Sequence, residues 1–93
     1  MIITLCGSAR FRNEIDETQK SLALQGHQIF TIENLNSVEI TKEIESMLDV
    51  SHRKKIDVSD AIYVINVDGY IGESTSNEIK YARDKGKKVM YLE

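Results

Sequence analysis

The sequence has little cysteine and no long apolar stretch. Its lone cysteine, Cys6, cannot form an intrachain disulfide, and no second cysteine is present to build a metal cluster. The longest apolar stretches, residues 1–6 and 61–66, are far too short to cross a bilayer, and no cationic region precedes the first. These absences predict a cytoplasmic protein with no membrane partner.

The sequence also lacks a basic patch and the common nucleotide-binding fingerprints. Its 12 basic residues are scattered among 15 acidic ones, giving a net charge of -3, so we expect no nucleic-acid partner. Neither a G-x-G-x-x-G nor a Walker pattern is present, which argues against NAD and P-loop chemistry. No histidine, cysteine or carboxylate grouping has metal-ligand spacing. We therefore expect neither a metal nor a cofactor.

What remains is an ordinary globular composition, with 41% apolar and 29% charged residues over 93 positions. A chain of this length is expected to form one small domain, residues 1–93, with a single site. Apolar runs alternate with amphipathic stretches and a polar loop at 33–37. The pattern predicts strands at 2–6, 27–32, 61–66 and 87–92, and helices at 11–25, 41–58 and 75–85.

Strands that alternate with helices predict a four-stranded parallel sheet in a three-layer α/β sandwich, flavodoxin-like or Rossmann-like. The first and third strands are the most apolar, so they should lie centrally, in the order 2-1-3-4. The crevice between their carboxyl ends is then the switch point where such folds bind ligands. Residues 7–10 and 67–74 flank that crevice.

Residues Gly7-Ser8-Ala9-Arg10 join the first strand to the first helix. Backbone N-H groups, a hydroxyl and a guanidinium at a helix N-terminus favour a phosphate or carboxylate. The alternative is a tight turn in which Ser8 begins the helix and Arg10 is a solvated charge. In the second loop, Tyr70 and Ile71 would either clamp a flat ring or plug the end of the sheet.

Glu78 falls in the first turn predicted for the third helix and should aim at the crevice, as a nucleophile or base would. The alternative is structural, because residues 75–78 form an S/T-x-x-E capping box in which Glu78 would bond the backbone of Thr75. His52 lies on the apolar stripe of the second helix, either as a packed histidine or as a proton shuttle near the crevice. Asp60, Cys6 and Tyr63 are interpreted as structural.

Taken together, residues 7–10, Asp60, residues 72–82 (GESTSNEIKYA) and residues 86–89 (GKKV) resemble the nucleoside 2-deoxyribosyltransferase family, including its 2'-deoxynucleoside 5'-phosphate N-hydrolases. The resemblance spans the whole chain. It implies that Glu78 attacks the anomeric carbon of a deoxyribose. It also implies phosphate-binding positions in the two loops at Gly7, Ser8, Arg10, Gly72 and Ser74.

The sequence departs from the family in two places. His52 stands where the family has an aspartate that handles proton transfer, and Ser74 and Ser76 replace the usual glycines before the nucleophile. The resemblance thus implies an enzyme that cleaves an N-glycosidic bond in a nucleoside or its 5'-monophosphate, without metal or cofactor. The departures favour an alternative, a catalytically silent nucleotide-binding or sensing module. A purely structural protein is a third interpretation.

The expected layering also predicts self-association. With the order 2-1-3-4, the first helix covers one side of the sheet and the other two helices cover the opposite side. Parts of the third and fourth strands are then left bare beside the first helix, and their apolar residues favour a partner. We expect a homodimer, the commonest solution to such a surface.

Overall fold

Two buried strands form the centre of a parallel sheet in the computed structural model, which describes residues 1–32 and 41–93. They are β1 (Ile2–Gly7) and β3 (Ala61–Ile65), flanked by β2 (Gln28–Phe30) and β4 (Lys88–Tyr91). Every pairing is parallel, and the order β2-β1-β3-β4 confirms the prediction. Most residues of β1 and β3 are buried, and Tyr63 of β3 is half-buried, which explains their unbroken apolar runs.

Helices cover the two faces of this sheet. One face carries α1 (Arg12–Leu24), which packs mainly on β1 and β2 and follows a short 3-10 turn, Ala9–Phe11. The other carries α2 (Lys42–Asp57) and α3 (Glu73–Asp84), which contact β1 and, for α3, also β3 and β4. The three-layer α/β architecture predicted from the sequence is therefore confirmed.

Each face of the sheet has its own core. The core under α1 contains Ile3, Leu5, Ile15, Leu22, Ala61 and Ile65. The core under α2 and α3 contains Cys6, Ile56, Ile62, Val64, Ile79 and Ala82. Because side chains alternate along a strand, Leu5 and Cys6 belong to opposite cores. This alternation turns the Cys6 thiol toward α2 and α3.

Hydrogen bonds at the element ends explain several boundaries. Thr41 caps α2, since its Oγ1 accepts from the N-H of Ile44 at 3.2 Å. Asp60 fixes the start of β1: its Oδ2 accepts from the N-H of Ile2 at 2.8 Å, and its own N-H donates to the Ile2 carbonyl. Asp60 is thus structural, as interpreted from the sequence. The predicted polar loop at 33–37 lies outside the described residues.

The start of α3 differs from the sequence prediction. The helix begins at Glu73 with Gly72 as N-cap, and the carbonyl of Gly72 accepts from the N-H of Ser76 at 2.9 Å. Thr75 is therefore inside the helix, where it is buried, and it cannot act as the N-cap. The capping-box interpretation is wrong, and Glu78 lies in the second turn rather than the first.

The loop after β3 is shorter than predicted. Residues 67–74 contain a 3-10 turn, Val67–Gly69, and their last two residues already belong to α3. Asp68 has a φ of 54° and Gly69 a φ of 77°, so the chain makes a left-handed turn before Tyr70. None of the helices in residues 1–32 and 41–93 is long and apolar enough to span a bilayer.

Candidate active site

The carboxyl ends of β1 and β3 open into a cavity of about 400 Å³. We name it the switch-point cavity. Its wall includes Ala9, Ile32, Glu45, Leu48, Asp49, Glu73 and Thr75, together with most of the residues predicted to form the site. The predicted residues in this wall are Gly7, Ser8, His52, Tyr70, Gly72, Ser74 and Glu78. Residues from both predicted loops and from two helices thus meet at one opening, as the switch-point argument requires.

The turn after β1 is tightly packed at Gly7. A Cβ on Gly7 would lie 3.0 Å from the Cβ of Ile65 and 3.2 Å from the Ile65 carbonyl oxygen, so glycine lets β1 and β3 approach closely here. Ser8 follows with extended backbone, and its Oγ accepts from the N-H of Arg10 at 3.4 Å. Ser8 therefore caps the 3-10 turn, as the structural interpretation expects, and it also lines the cavity. Phosphate binding at this turn stays a prediction.

Arg10 is not part of the cavity wall, but it contacts a residue that is. Its guanidinium carbon lies 4.4 Å from the centre of the Tyr70 ring, within range of a cation-π contact. The Phe11 ring packs edge-on against the same tyrosine, with centroids 5.8 Å apart. This stack joins the turn after β1 to the loop after β3. Ile71 is 40% exposed and does not line the cavity.

Three chemically active side chains meet beside this cavity, and two of them, His52 and Glu78, line it. Nε2 of His52 lies 3.3 Å from Sγ of Cys6 and 3.3 Å from Oε2 of Glu78. They come from the end of β1, the middle of α2 and the second turn of α3. We name them the Cys6-His52-Glu78 cluster. Its three polar atoms all lie within 4.8 Å of one another.

Glu78 has an oxygen that is buried and has no hydrogen-bond partner in residues 1–32 and 41–93. Its side chain is 17% exposed, and Oε2 has no hydrogen-bond partner among the described residues. The neighbouring imidazole of His52 approaches this oxygen without forming a well-directed hydrogen bond. Buried polar atoms are usually paired, so an unpaired one at a cavity is a candidate for binding or catalysis.

Cys6 was interpreted from the sequence as a core residue, and its place in the cluster was missed. Burial raises the pKa of the Cys6 thiol well above its ordinary value, and the charge of the nearby Glu78 carboxylate raises it further. The thiol is therefore protonated at neutral pH. The available signal was its position as the last apolar residue before Gly7, at the carboxyl end of a central strand.

A second cavity of about 300 Å³ also has Glu78 in its wall. It shares Asp49, Ser74 and Glu78 with the switch-point cavity. The rest of its wall is polar or charged and was not predicted, namely Arg53, Asn77, Lys80, Tyr81 and Asp84. The i, i+4 spacing of Asp49 and Arg53 on α2 was the signal that could have indicated this surface. Glu78 thus lies where the two cavities meet.

Comparison with known proteins bears on the fold. The sequence matches no protein-family model, and no curated protein matches it. The structure is similar to that of a 2-deoxyribosyltransferase from the psychrotolerant bacterium Bacillus psychrosaccharolyticus, which is described as a biocatalyst for nucleoside synthesis. The TM-score is 0.78 at 20% identity, over 98% of this chain and 71% of the other. The chain therefore has a nucleoside 2-deoxyribosyltransferase-like fold.

Proposed function

We propose that the protein cleaves the N-glycosidic bond of a nucleoside or a nucleoside 5'-monophosphate, with Glu78 as the nucleophile. One observation carries this proposal: the buried Oε2 of Glu78, which has no hydrogen-bond partner in the part of the chain that the structure describes, lies at the same cavity as the Gly7-Ser8 turn. A sugar phosphate bound across the cavity would place its phosphate at the turn and its anomeric carbon toward the carboxylate. The 2-deoxyribosyltransferase-like fold supports the same chemistry.

The reaction would proceed through a covalent intermediate. An oxygen of Glu78 attacks the anomeric carbon, the bond to the base breaks, and the base leaves with the electron pair and takes up a proton. The resulting glycosyl ester is then resolved by water, in a hydrolase, or by a second base, in a transferase. Two displacements at one carbon retain its configuration, as in retaining glycoside chemistry.

His52 is the proposed source of the proton for the departing base. Histidine exchanges protons near neutral pH, and the Nε2 atom of His52 lies 3.3 Å from Glu78 and therefore close to the reacting carbon. It occupies the position of the aspartate in the resembled family. An imidazole can protonate a leaving base, whereas it cannot accept the sugar hydroxyl hydrogen bonds that a carboxylate would.

The remaining positions would hold the substrate. The backbone N-H groups and hydroxyl of the Gly7-Ser8 turn, with Gly72 and Ser74 across the cavity, would surround the phosphate. Arg10 would reach it from above the Tyr70 ring, since guanidinium groups favour bidentate phosphate contacts. Tyr70 would pack on the sugar or base, and Ile71, at the exposed end of the loop, would pack on the same part of the substrate.

The deciding experiment incubates the protein with a panel of 2'-deoxynucleosides and their 5'-monophosphates, with and without a second free base, and follows base release by chromatography. Glu78→Gln keeps the shape of the side chain and removes the nucleophile, so release should fall by at least about 10³-fold. Glu17→Gln, an exposed glutamate on α1 across the sheet, is the matched control. Release that survives in Glu78→Gln would remove the assigned nucleophile.

A second candidate function is a nucleotide-binding or sensing module without turnover. The contact between His52 and Glu78 favours it, because a protonated imidazole would pair with the carboxylate and reduce its nucleophilicity. Calorimetry would then show tight binding of a nucleoside monophosphate while no free base forms on long incubation. Release of free base from any substrate of the panel would support the enzyme and exclude a module without turnover.

We also propose that two copies pair through the sheet face beside α1. Since α1 packs mainly on β1 and β2, the same face of β3 and β4 is incompletely covered. Tyr63, Met90 and Leu92 are partly buried apolar side chains on this face. Light scattering at micromolar concentration should give about twice the 10.6 kDa chain mass. A monomeric mass would exclude the dimer. The cytoplasmic location stays a prediction.

A further inference from the structure

The Cys6-His52-Glu78 cluster brings together three kinds of metal-ligating atom. A thiol sulfur, an imidazole nitrogen and a carboxylate oxygen lie within 4.8 Å of one another, from positions far apart in the sequence. Sequence spacing gave no sign of such a set, because it tests ligands that are neighbours along the chain. The fold brings these three ligand residues together although they are not neighbours in the sequence. The proposed glycosidic chemistry uses two of these side chains and leaves Cys6 without a role.

The distances match those between ligands of a tetrahedral zinc ion. Zinc binds sulfur at about 2.3 Å and nitrogen or oxygen at about 2.0–2.2 Å, so tetrahedral ligand atoms are roughly 3.3–3.6 Å apart. The measured separations from His52 Nε2 are 3.3 Å to Cys6 Sγ and 3.3 Å to Glu78 Oε2. The third separation, between Cys6 Sγ and the Glu78 oxygen, is no more than 4.8 Å.

Two further observations point to a ligand. The Oε2 atom of Glu78 is buried and has no hydrogen-bond partner in the described residues, which leaves its lone pairs available. Both His52 and Glu78 also line the switch-point cavity, so a fourth ligand could reach an ion held between them. Three protein ligands with an accessible fourth position are typical of catalytic or regulatory zinc sites rather than closed structural ones.

We propose that Cys6, His52 and Glu78 form a binding site for a zinc-like divalent cation, with a fourth position open to the switch-point cavity. Thiolate and imidazole donors select zinc and similar transition metals over Mg²⁺ and Ca²⁺, which prefer oxygen ligands. On binding, sulfur forms the metal bond as a thiolate, and the thiol proton passes to solvent. No oxidant or reductant is required.

This site goes beyond the proposed function: it shares the buried Glu78 oxygen with that proposal and adds the Cys6 thiol and the spacing of the three ligand atoms. If Glu78 is the nucleophile, a bound cation and a substrate compete for the same carboxylate. Zinc would then inhibit base release, and Cys6→Ser would make release less sensitive to zinc. Metal binding itself can be measured without any turnover, so a failed search for a substrate leaves the metal site testable, and a metal-free cluster leaves the glycosidic proposal intact.

The test is a titration of the purified full chain with Co²⁺, followed by displacement with Zn²⁺. The expected spectrum contains the intense visible bands of tetrahedral cobalt and a thiolate-to-cobalt charge-transfer band in the near ultraviolet, saturating at one ion per chain. Since Cys6 is the one cysteine in the sequence, it is the only source of the charge-transfer band. Absence of that band in the wild-type protein overturns the proposal, whatever the variants show.

Variants test the other two ligands. His52→Gln and Glu78→Gln should each weaken Co²⁺ binding by at least about 10-fold, the lower end of the loss found for residues that only support a ligand. His27→Gln is the matched control, because His27 Nδ1 lies 3.0 Å from the terminal amine of Met1 and offers a different place for a metal. A spectrum that persists in His52→Gln, or disappears in His27→Gln, assigns the ion elsewhere and overturns the proposal.

Discussion

Nε2 of His52 and Oε2 of Glu78 lie 3.3 Å apart, although the two side chains come from α2 and α3. The contact links the packing of these helices to the chemistry of the cavity. Glu78 carries an oxygen without a hydrogen-bond partner among the described residues, and His52 beside it can give or take a proton. A substitution of either His52 or Glu78 is therefore expected to affect the other residue.

We predict that His52→Ala lowers base release by about 10²–10⁴-fold, because the departing base loses its general acid. The loss should be much smaller with a deoxyriboside whose leaving group is already a stable anion, such as nitrophenolate, because that group needs no proton. Initial rates with both kinds of substrate measure the difference. An equal loss on both substrates would indicate that His52 only positions Glu78.

We predict that Arg10→Met raises the KM for a nucleoside 5'-monophosphate by about 10- to 100-fold and leaves the KM for the nucleoside nearly unchanged. A hydrogen bond to a charged group is worth about 1.5–3 kcal/mol, and methionine keeps the bulk over Tyr70 without the charge. Steady-state kinetics with the two substrates checks this expectation.

The control for Arg10 is Arg12→Met. Arg12 forms a surface ion pair with Asp16, at 3.5 Å, and such a pair is worth little. Its removal should change neither KM. Equal effects of the two arginine variants on phosphate binding would indicate a general effect of charge and would remove Arg10 from the site.

We predict that Gly7→Ser lowers the free energy of unfolding by about 1–3 kcal/mol. The new Cβ would meet the Ile65 Cβ at 3.0 Å and push β1 away from β3. Gly72→Ser is the matched change at the same cavity, where the nearest atom is the Tyr70 hydroxyl at 3.4 Å and serine suits an N-cap. Urea denaturation should show Gly72→Ser to be neutral or slightly stabilising, and equal losses would contradict this account.

We predict that stability falls as the pH rises above the ordinary thiol pKa of 9.0 and that Cys6 contributes to the fall. The folded-state pKa of Cys6 is raised by burial, so above this pH the unfolded chain loses a proton that the folded chain keeps. Ionisation then favours unfolding, by at most about 1.4 kcal/mol per pH unit. Urea denaturation from about pH 8 to about pH 10 should give a shallower decline for Cys6→Ala. Parallel curves for the two proteins would contradict the burial of this thiol.

The strand order could be predicted because the apolar pattern within each segment shows which strands are buried. The apolar runs that became β1 and β3 identify the central strands, and chain connectivity then places the cavity. The start of α3 could not be predicted, because Thr75 fits the capping-box pattern, whereas Gly72, three residues earlier, has no side chain that would mark it as the N-cap. The burial of Thr75, a tertiary property, decides between them.

The Cys6-His52-Glu78 cluster could likewise be predicted only in part from the sequence. His52 and Glu78 could each be selected as candidates by residue type and helix position. Cys6 could not, because a buried cysteine on an apolar strand is usually only a packing residue. The place of Cys6 in the cluster depends on which face of β1 meets α2 and α3. Its distances to His52 and Glu78 depend on the packing of these three elements, none of which is adjacent to another in sequence.

Glu78 belongs to the walls of two cavities, one of about 400 Å³ and one of about 300 Å³. Asp49 and Ser74 are shared in the same way, so the two cavities are neighbours along this edge of α2 and α3. A substitution of Glu78 therefore changes the lining of both cavities at once.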